Sequence, residues 1–228
     1  MALEPNFLTA EECEEHCASV LALDRRIGLP LIERRVRERS LRYKVVNGLI
    51  IADAIPAIDD VTERVERALE RICGPGLRPM QDPVAARNVN VTPPGGEYRW
   101  HYDRNAVTAI LYLNEVPGGE TEIFANYRLL VRRGRYQRLQ QRLDAMLQLR
   151  LVRRLFGHQR LIVPHQGTLL VMRGNTTLHS VRAVLGTEDR IAAVLSFDYP
   201  GSDNRRTALN DYLYTSAPPV EGDPNYRA

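Results

Sequence analysis

The sequence predicts a mainly β protein, a sandwich or barrel with flanking helices. Two observations support this class. From about residue 87 onward, the chain consists largely of short apolar and β-branched runs, separated by turns that contain Pro, Gly or Asn. Many short strands with such turns are typical of sandwiches and barrels. Before residue 75, two segments instead repeat apolar residues at helical spacing, which predicts an N-terminal helical region.

Composition sets the broad limits. The chain has 228 residues, 44% of them hydrophobic, and a formal net charge of +3. This size is sufficient for one domain with a full core. No apolar run approaches the roughly 20 residues that span a bilayer, and the acidic N-terminus lacks the apolar core of a signal peptide. We therefore expect a cytoplasmic protein with no membrane partner, whose three cysteines are free thiols.

Two helices are predicted before the β region. In the first, LTAEECEEHCASVLAL, Thr9 is placed to cap the helix and Glu12 to complete a capping box. The second, IDDVTERVERALERICG, begins near Asp59 or Asp60 and ends at Gly74. Between them the chain has mixed β character, and the Asn47-Gly48 pair predicts a turn.

The predicted strands follow in a regular series. They are ARNVNVT, EYRWHYD, AVTAILYLN, TEIF, RLIV, GTLLVM, HSVRAV and RIAAVLSFDY.

An arginine-rich block, residues 126–160, interrupts this series and is interpreted as a helical insertion. Helical periodicity extends from Tyr136 to Phe156. We predict that an apolar stripe packs this helix over or beside the barrel mouth. The stripe consists of Leu139, Leu143, Met146, Leu147 and Leu151. The arginines expected on its flanks and far side are Arg135, Arg138, Arg142, Arg150, Arg153 and Arg154.

Three roles for the insertion are open: a lid, a homodimer element, or a block that neutralises nucleic-acid phosphates. Few aromatic side chains accompany the arginines, whereas proteins that bind single strands stack bases on such side chains. The lid and dimer interpretations are therefore favoured, and nucleic acid is not expected as a partner.

The chemistry-bearing residues begin with His101 and Asp103. Residues two apart in a strand share a face, but His-x-Asp alone is a weak signal. A third candidate, His179, follows a later strand, and Arg190 comes eleven residues after it. Two histidines and one carboxylate suit non-haem iron(II) with open positions. An arginine can hold the far carboxylate of a keto acid bound to such a metal.

From Arg87 to Tyr199, apart from the insertion, the chain resembles the iron(II)/2-oxoglutarate-dependent dioxygenases, in particular their prolyl-4-hydroxylase-like group. Four motifs carry the resemblance in order: GGEYRWHYD, AVTAILYLNEVPGGETEIF, GTLLVMRGNTTLHSV and GTEDRIAAVLSF. It implies that residues 1–228 form a single oxygenase domain with a double-stranded β-helix, or cupin-like jelly roll. It also implies iron(II), 2-oxoglutarate and O2 as cofactor and co-substrates.

The resemblance also implies roles for individual residues. His101, Asp103 and His179 become the iron ligands and the catalytic centre. Arg190 becomes the partner of the 2-oxoglutarate C5 carboxylate, and Tyr112 a hydrogen-bond donor to it. The further residues expected to line the co-substrate pocket are Thr108, Ile110 and Asn90.

The chain also departs from the family pattern. Relatives often carry a tyrosine before the glycine loop, where this chain reads RNVNVTPPGG, so Asn88 or Asn90 is expected to take the polar role. The inward positions after Arg190 are occupied by the small residues Ala192, Val194 and Ser196. They predict additional room beside the iron.

The implied reaction is hydroxylation of an unactivated C–H bond, with succinate and CO2 as co-products. Asp103 occupies the position that halide takes in the halogenases of this superfamily, whereas desaturation and ring formation remain open. The compact chain favours a small-molecule substrate, an amino acid or a natural-product intermediate. The alternatives are a peptidyl, prolyl-type hydroxylase and, less favoured, a nucleic-acid-directed oxygenase or a non-enzymatic binder.

Overall fold

The computed structural model describes residues 1–34, 40–131, 137–202 and 213–214. The helices in this part are α1 (Ala10–Ile27), α2 (Gly48–Ala54), α3 (Ala57–Cys73), α4 (Gln137–Leu147) and α5 (Arg150–Phe156). The strands are β1 (Ala2–Glu4), β2 (Ile32–Arg34), β3 (Leu41–Asn47), β4 (Arg78–Pro79), β5 (Arg87–Thr92), β6 (Tyr98–His101), β7 (Val107–Tyr112), β8 (Thr121–Phe124), β9 (Gln159–Ile162), β10 (Leu169–Met172), β11 (Leu178–Val181) and β12 (Arg190–Asp198).

The strands form two antiparallel sheets. The larger sheet has the order β1-β10-β7-β12-β5-β3-β2, and β4 pairs with β12 at its side. The smaller sheet has the order β6-β11-β8-β9. An apolar cluster joins the two sheets, with Ile110 and Leu170 from the larger and Ile123 and Ile162 from the smaller. The expected mainly β sandwich with flanking helices is confirmed.

Alternation along the strands separates the core from the site. On β5 and β12, Val89 and Ala193 face the helices. They pack in the main core with Val20 of α1 and Val65 of α3. The residues that alternate with Val89 along β5 and with Ala193 along β12 point toward the smaller sheet, because successive side chains in a strand face opposite ways. The helices therefore cover one face of the larger sheet and leave its other face to line an interior pocket.

The N-terminal helices largely match their sequence signals. Thr9 and Glu12 form the expected capping box at the start of α1, and Gly74 caps the end of α3. The predicted Asn47-Gly48 turn is wrong. Asn47 ends β3 and instead caps α2, since its side-chain oxygen accepts hydrogen bonds from the backbone N–H groups of Leu49 and Ile50.

The insertion contains two helices rather than one. Leu149 adopts an extended conformation, with φ −65° and ψ 134°, and this separates α4 from α5. The break disrupts the predicted apolar stripe: Leu147 is buried, whereas Met146 and Leu151 are 44% and 67% exposed. Leu139, at 45%, is also exposed.

The arginines of the insertion only partly follow the prediction. Arg142, Arg150 and Arg154 are exposed as expected, but Arg153 is buried. Its guanidinium carbon lies 4.3 Å from the ring centroid of Trp100, and this stacking draws the side chain inward. The start of the predicted helix at Tyr136, with Arg135 and the Arg138 side chain, lies outside the described residues.

Two broader predictions concern the membrane and the thiols. None of the described helices is long and apolar enough to cross a bilayer. Cys13, Cys17 and Cys73 are free thiols, as expected.

Candidate active site

Two neighbouring strands of the smaller sheet bring His101 and His179 together. His101 is the last residue of β6 and lies directly opposite His179 of β11, with ring centroids 4.0 Å apart. Asp103 follows two residues later. The expectation that both His101 and Asp103 belong to one strand is wrong, because β6 ends at His101 and the Asp103 N–H donates to the carbonyl of Gly174.

The three side chains nevertheless converge. His101 Nε2 lies 3.4 Å from Asp103 Oδ1, and His179 Nε2 lies 3.6 Å from Asp103 Oδ2. One ligand atom from each residue lies within 4.8 Å of the other two. Among the described residues, this is the only group of three or more His, Cys, Asp or Glu side chains arranged so that they could hold a metal ion.

Backbone carbonyls fix the orientation of both imidazoles. His101 Nδ1 lies 2.9 Å from the carbonyl oxygen of Arg99, and His179 Nδ1 lies 3.1 Å from that of Thr177. A carbonyl oxygen only accepts hydrogen bonds, so each Nδ1 carries the proton and donates it. Each Nε2 then keeps a free lone pair directed toward Asp103, the tautomer that a metal ligand requires.

The charges also suit a divalent cation. Burial and the neighbouring His101 lower the pKa of His179 to about 4, so its ring is neutral at pH 7. Burial alone would raise the pKa of Asp103, but the two imidazoles and the Thr108 hydroxyl hold it well below its ordinary value. Two imidazole nitrogen donors and one carboxylate are the ligand set that suits non-haem iron(II).

Thr108 holds the carboxylate in place. Its hydroxyl donates to Asp103 Oδ2 at 2.5 Å and accepts from Asn105 Nδ2 at 2.9 Å. A Cβ atom at Gly174 would lie only 2.6 Å from the Thr108 hydroxyl oxygen and 2.9 Å from the Asp103 Cβ. Sequence reasoning missed Asn105 and Gly174, because their contacts cross between separate segments of the chain.

A buried arginine marks the other end of the pocket. Arg190, at the start of β12, is 3% exposed, and its guanidinium carbon lies 5.3 Å from the ring centroid of Tyr112. Among the described residues it has no ion pair, and its Nε has no hydrogen-bond partner. Burial lowers the pKa of Arg190, while its contacts with Tyr112 oppose that shift. Such a group is suited to receive a ligand carboxylate.

Thr121 also belongs to the Arg190 end of the pocket. Sequence reasoning missed this residue. Its hydroxyl accepts from the Tyr112 hydroxyl at 2.8 Å and from Arg190 Nη2 at 3.5 Å. The only sequence signal is its position directly after the Gly-Gly hairpin. Gly119 makes room for the arginine, because its backbone has φ +66° and a Cβ atom there would lie 2.7 Å from Arg190 Cδ.

Between these ends, Asn88 and Asn90 of β5 point into the interior. Asn90 lies opposite Ala192 and Asn88 opposite Val194 in the β5–β12 pairing. Asn88 is fully buried, and neither its amide oxygen nor its amide nitrogen has a partner among the described residues. The Asn90 amide oxygen is unsatisfied in the same way. Unpaired buried amides are costly, which is consistent with a pocket that a hydrogen-bonding ligand fills.

This feature gives a first prediction. Replacing Asn88 with leucine keeps the branched shape but removes two unsatisfied polar atoms. We expect the thermal midpoint of the ligand-free protein to stay constant or rise, while kcat/KM falls by about fivefold or more, the worth of one hydrogen bond. Differential scanning calorimetry and steady-state kinetics check the two effects. A lower midpoint with unchanged kcat/KM would contradict a ligand-binding role.

The remaining pocket residues lie beside these groups. Ile110 of β7 lies opposite Val194 and is nearly fully buried. Ala192 and Ser196 also face inward, so the small side chains expected here line the pocket.

The described part of the C-terminal segment, Leu213 and Tyr214, packs against β3. The Tyr43 hydroxyl donates to the carbonyl of Leu213, and Asn47 Nδ2 donates to that of Tyr214. Tyr214 packs against the cluster that contains Tyr43. Burial, together with the charges of Asp103 and Asp82, raises the pKa of the Tyr214 phenol. Residues 203–212 and 215–228 lie outside the described part of the chain.

Comparison with known proteins agrees with this geometry. The sequence profile of the 2OG-Fe(II) oxygenase superfamily matches residues 87–197, which include all of the candidate site residues named from the sequence. No curated protein matches the sequence.

Solved structures of several oxygenases share the fold. The chain is similar to SnoK, a non-haem α-ketoglutarate-dependent carbocyclase from nogalamycin biosynthesis, with a TM-score of 0.69, 15% identity and coverage of 98% of this chain and 89% of that one. It is also similar to the α-ketoglutarate-dependent epimerase SnoN from the same biosynthesis, with a TM-score of 0.66, 16% identity and coverage of 98% and 87%.

A prolyl-4-hydroxylase from Pseudomonas putida is a further similar structure, with a TM-score of 0.54, 18% identity and coverage of 88% of this chain and 92% of that one. At these identities the likeness concerns the fold, and it confirms the expected double-stranded β-helix. The profile match and the shared fold together identify residues 87–197 as a 2OG-Fe(II) oxygenase domain, which uses iron(II), 2-oxoglutarate and O2.

Proposed function

We propose that this enzyme hydroxylates an unactivated C–H bond of a small molecule, an amino acid or a natural-product intermediate. The observation that carries the proposal is the pairing of the His101–Asp103–His179 cluster with a buried, uncompensated Arg190 in one interior pocket. Iron(II) and 2-oxoglutarate, when bound, supply the oxidation of the C–H bond by O2, with succinate and CO2 as co-products.

The roles proposed for the residues follow from their positions. His101, Asp103 and His179 hold the iron through two Nε2 atoms and one carboxylate. Arg190 binds the C5 carboxylate of 2-oxoglutarate, and the Tyr112 hydroxyl supports it. The residues that line the space between these ends are Thr108, Ile110 and Asn90.

The two ends of the site are separated along β7. Thr108, which contacts Asp103, and Tyr112, which contacts Arg190, lie four residues apart on β7. Four residues of a strand span about 13 Å. A diacid carries a carboxylate at each end, so this arrangement of a metal cluster at one end and a guanidinium at the other supports a diacid co-substrate.

Two features support a small substrate. The inward positions Ala192, Val194 and Ser196 carry small side chains, which take up little of the interior. The similar structures SnoK and SnoN are described as enzymes of nogalamycin biosynthesis, a small-molecule pathway.

Peptidyl hydroxylation of the prolyl type is the second candidate, because the fold is also shared with a prolyl-4-hydroxylase. A substrate screen separates the two. Iron-loaded protein is incubated with 2-oxoglutarate and either a small-molecule library or proline-containing peptides, and succinate is measured. We expect succinate above background only with members of the small-molecule set, and products heavier by one oxygen atom. Turnover with peptides alone would contradict the proposed substrate class.

A further inference from the structure

A second cavity lies outside the catalytic pocket, between α5 of the insertion and the smaller sheet. Its volume is about 760 Å³. The lining residues are Trp100, Glu122, Phe124, Arg150, Arg153, Arg154, Gly157, Gln159 and Arg182.

This cavity and the candidate iron centre are on opposite faces of the smaller sheet. Trp100 directly precedes His101 on β6, and neighbouring strand residues face opposite ways. On β8, Glu122 likewise alternates with Thr121, which contacts Arg190 on the pocket side. One layer of sheet therefore separates the cavity from the reacting groups, so a ligand bound in the cavity is not the molecule being oxidised.

The cavity carries an excess of positive charge. Four guanidinium groups line it, from Arg150, Arg153, Arg154 and Arg182, against the single carboxylate of Glu122. That carboxylate is already occupied: it accepts from Gln159 Nε2 at 2.6 Å, from the Ser180 hydroxyl at 3.0 Å and from Arg182 Nε at 3.3 Å.

The arginines of α5 differ in how firmly they are held. Arg153 is buried and stacked on the Trp100 ring at 4.3 Å, so its position is fixed by packing. Arg150 and Arg154, one turn apart at the rim, are exposed and have no ion pair among the described residues. Like charges held this close repel one another, and an anion among them would remove that repulsion.

We propose that this cavity is a second binding site, for a small organic polyanion that carries phosphate groups or several carboxylates. Guanidinium groups bind both of these in bidentate geometry. The Trp100 and Phe124 rings, with centroids 5.3 Å apart, offer an apolar wall for the rest of such a molecule. A bound anion would connect the arginines of α5 with Arg182, which directly follows β11, and so attach the insertion to the sheet that carries both histidines.

The test uses the metal-free protein, so it does not depend on the proposed reaction. Isothermal titration calorimetry measures binding of pyrophosphate and, in a separate arm, of citrate, in a buffer without phosphate. These two probes distinguish phosphate from carboxylate recognition. The altered protein is the double variant Arg150→Gln/Arg154→Gln, and both side chains are exposed, so its folding should be intact. The matched control is Arg142→Gln, an exposed arginine of α4 that does not line the cavity.

We expect the wild type to bind at least one of the probes with one site per chain. The double variant should bind at least about tenfold more weakly, since it loses two charge-assisted contacts. Binding should be unchanged in the Arg142→Gln control and also in Arg190→Leu, which separates this cavity from the co-substrate pocket. A bound probe should also raise the thermal midpoint of the wild type.

Three outcomes would overturn the proposal. One is the absence of saturable binding of both probes. Another is an equal loss of binding in the double variant and the Arg142→Gln control, which would indicate a diffuse basic surface. The third is binding of DNA or RNA oligonucleotides alone, with a steep dependence on salt, which would indicate a nucleic-acid surface instead.

Discussion

Replacing His179 with alanine is expected to abolish turnover and to weaken iron(II) binding by more than about 100-fold, since even residues that only support metal ligands are worth about 10–100-fold. The side chain is buried, its Nδ1 is fixed by the Thr177 carbonyl, and its Nε2 lies 3.6 Å from Asp103 Oδ2. Its removal leaves only two ligand groups at the cluster. Anaerobic calorimetry with iron(II) and a succinate assay measure the two effects.

The matched control is His165→Ala. His165 is exposed and its only described side-chain partner is Glu115, at 3.1 Å, so this variant should bind iron and turn over like the wild type. Circular dichroism confirms that both variants are folded. Survival of iron affinity and turnover in His179→Ala would mean that the metal centre lies elsewhere.

The second large effect is expected at Arg190. Replacing it with leucine should raise the KM for 2-oxoglutarate by at least about tenfold, because a charge-assisted contact to a carboxylate is worth about 1.5–3 kcal/mol. The folded protein should tolerate the change, since Arg190 is buried with no ion pair among the described residues. Leucine removes this poorly compensated charge. Steady-state kinetics with varied 2-oxoglutarate and a thermal melt measure both effects.

Two further variants serve as comparisons for Arg190→Leu. Tyr112→Phe removes the hydroxyl that donates to Thr121 and should raise the same KM by a smaller factor. Arg67→Leu is the control for losing an arginine, because Arg67 is 63% exposed on α3 and pairs only with Glu63 among the described residues. If the KM for 2-oxoglutarate is unchanged in Arg190→Leu, another group must bind the C5 carboxylate.

The sequence was most informative about the candidate site residues, whose positions depend on the order of the strands. The positions of His101, Asp103, His179 and Arg190 could be named because four motifs, in order, resemble those of the iron(II)/2-oxoglutarate-dependent dioxygenases, whereas His-x-Asp alone is a weak signal. Strand pairing then brings the two histidines opposite each other, although their positions are far apart in the sequence.

The missing site residues make contacts that no local pattern reveals. Thr121 meets Arg190 and Tyr112 across two sheets. Gly174 matters because the backbone passes so close to Asp103 and Thr108 that a side chain would not fit.

The insertion shows a second limit of prediction from sequence. Periodicity predicts an apolar stripe but not what it packs against, and the break at Leu149 leaves Leu151 mostly exposed. Arg153 is buried instead, because its guanidinium stacks on Trp100. A hydrophobicity pattern assigns every arginine to the surface and cannot predict this contact.

The central claim is that one pocket binds iron(II) at the His101–Asp103–His179 cluster and 2-oxoglutarate between that cluster and Arg190. The most direct measurement is anaerobic calorimetry of 2-oxoglutarate binding with and without iron(II), which needs no substrate. We expect one iron and one 2-oxoglutarate per chain, and 2-oxoglutarate affinity at least about tenfold higher with the metal, the difference that one additional strong contact makes. Equal affinity with and without iron(II), or no binding of 2-oxoglutarate, would contradict the claim.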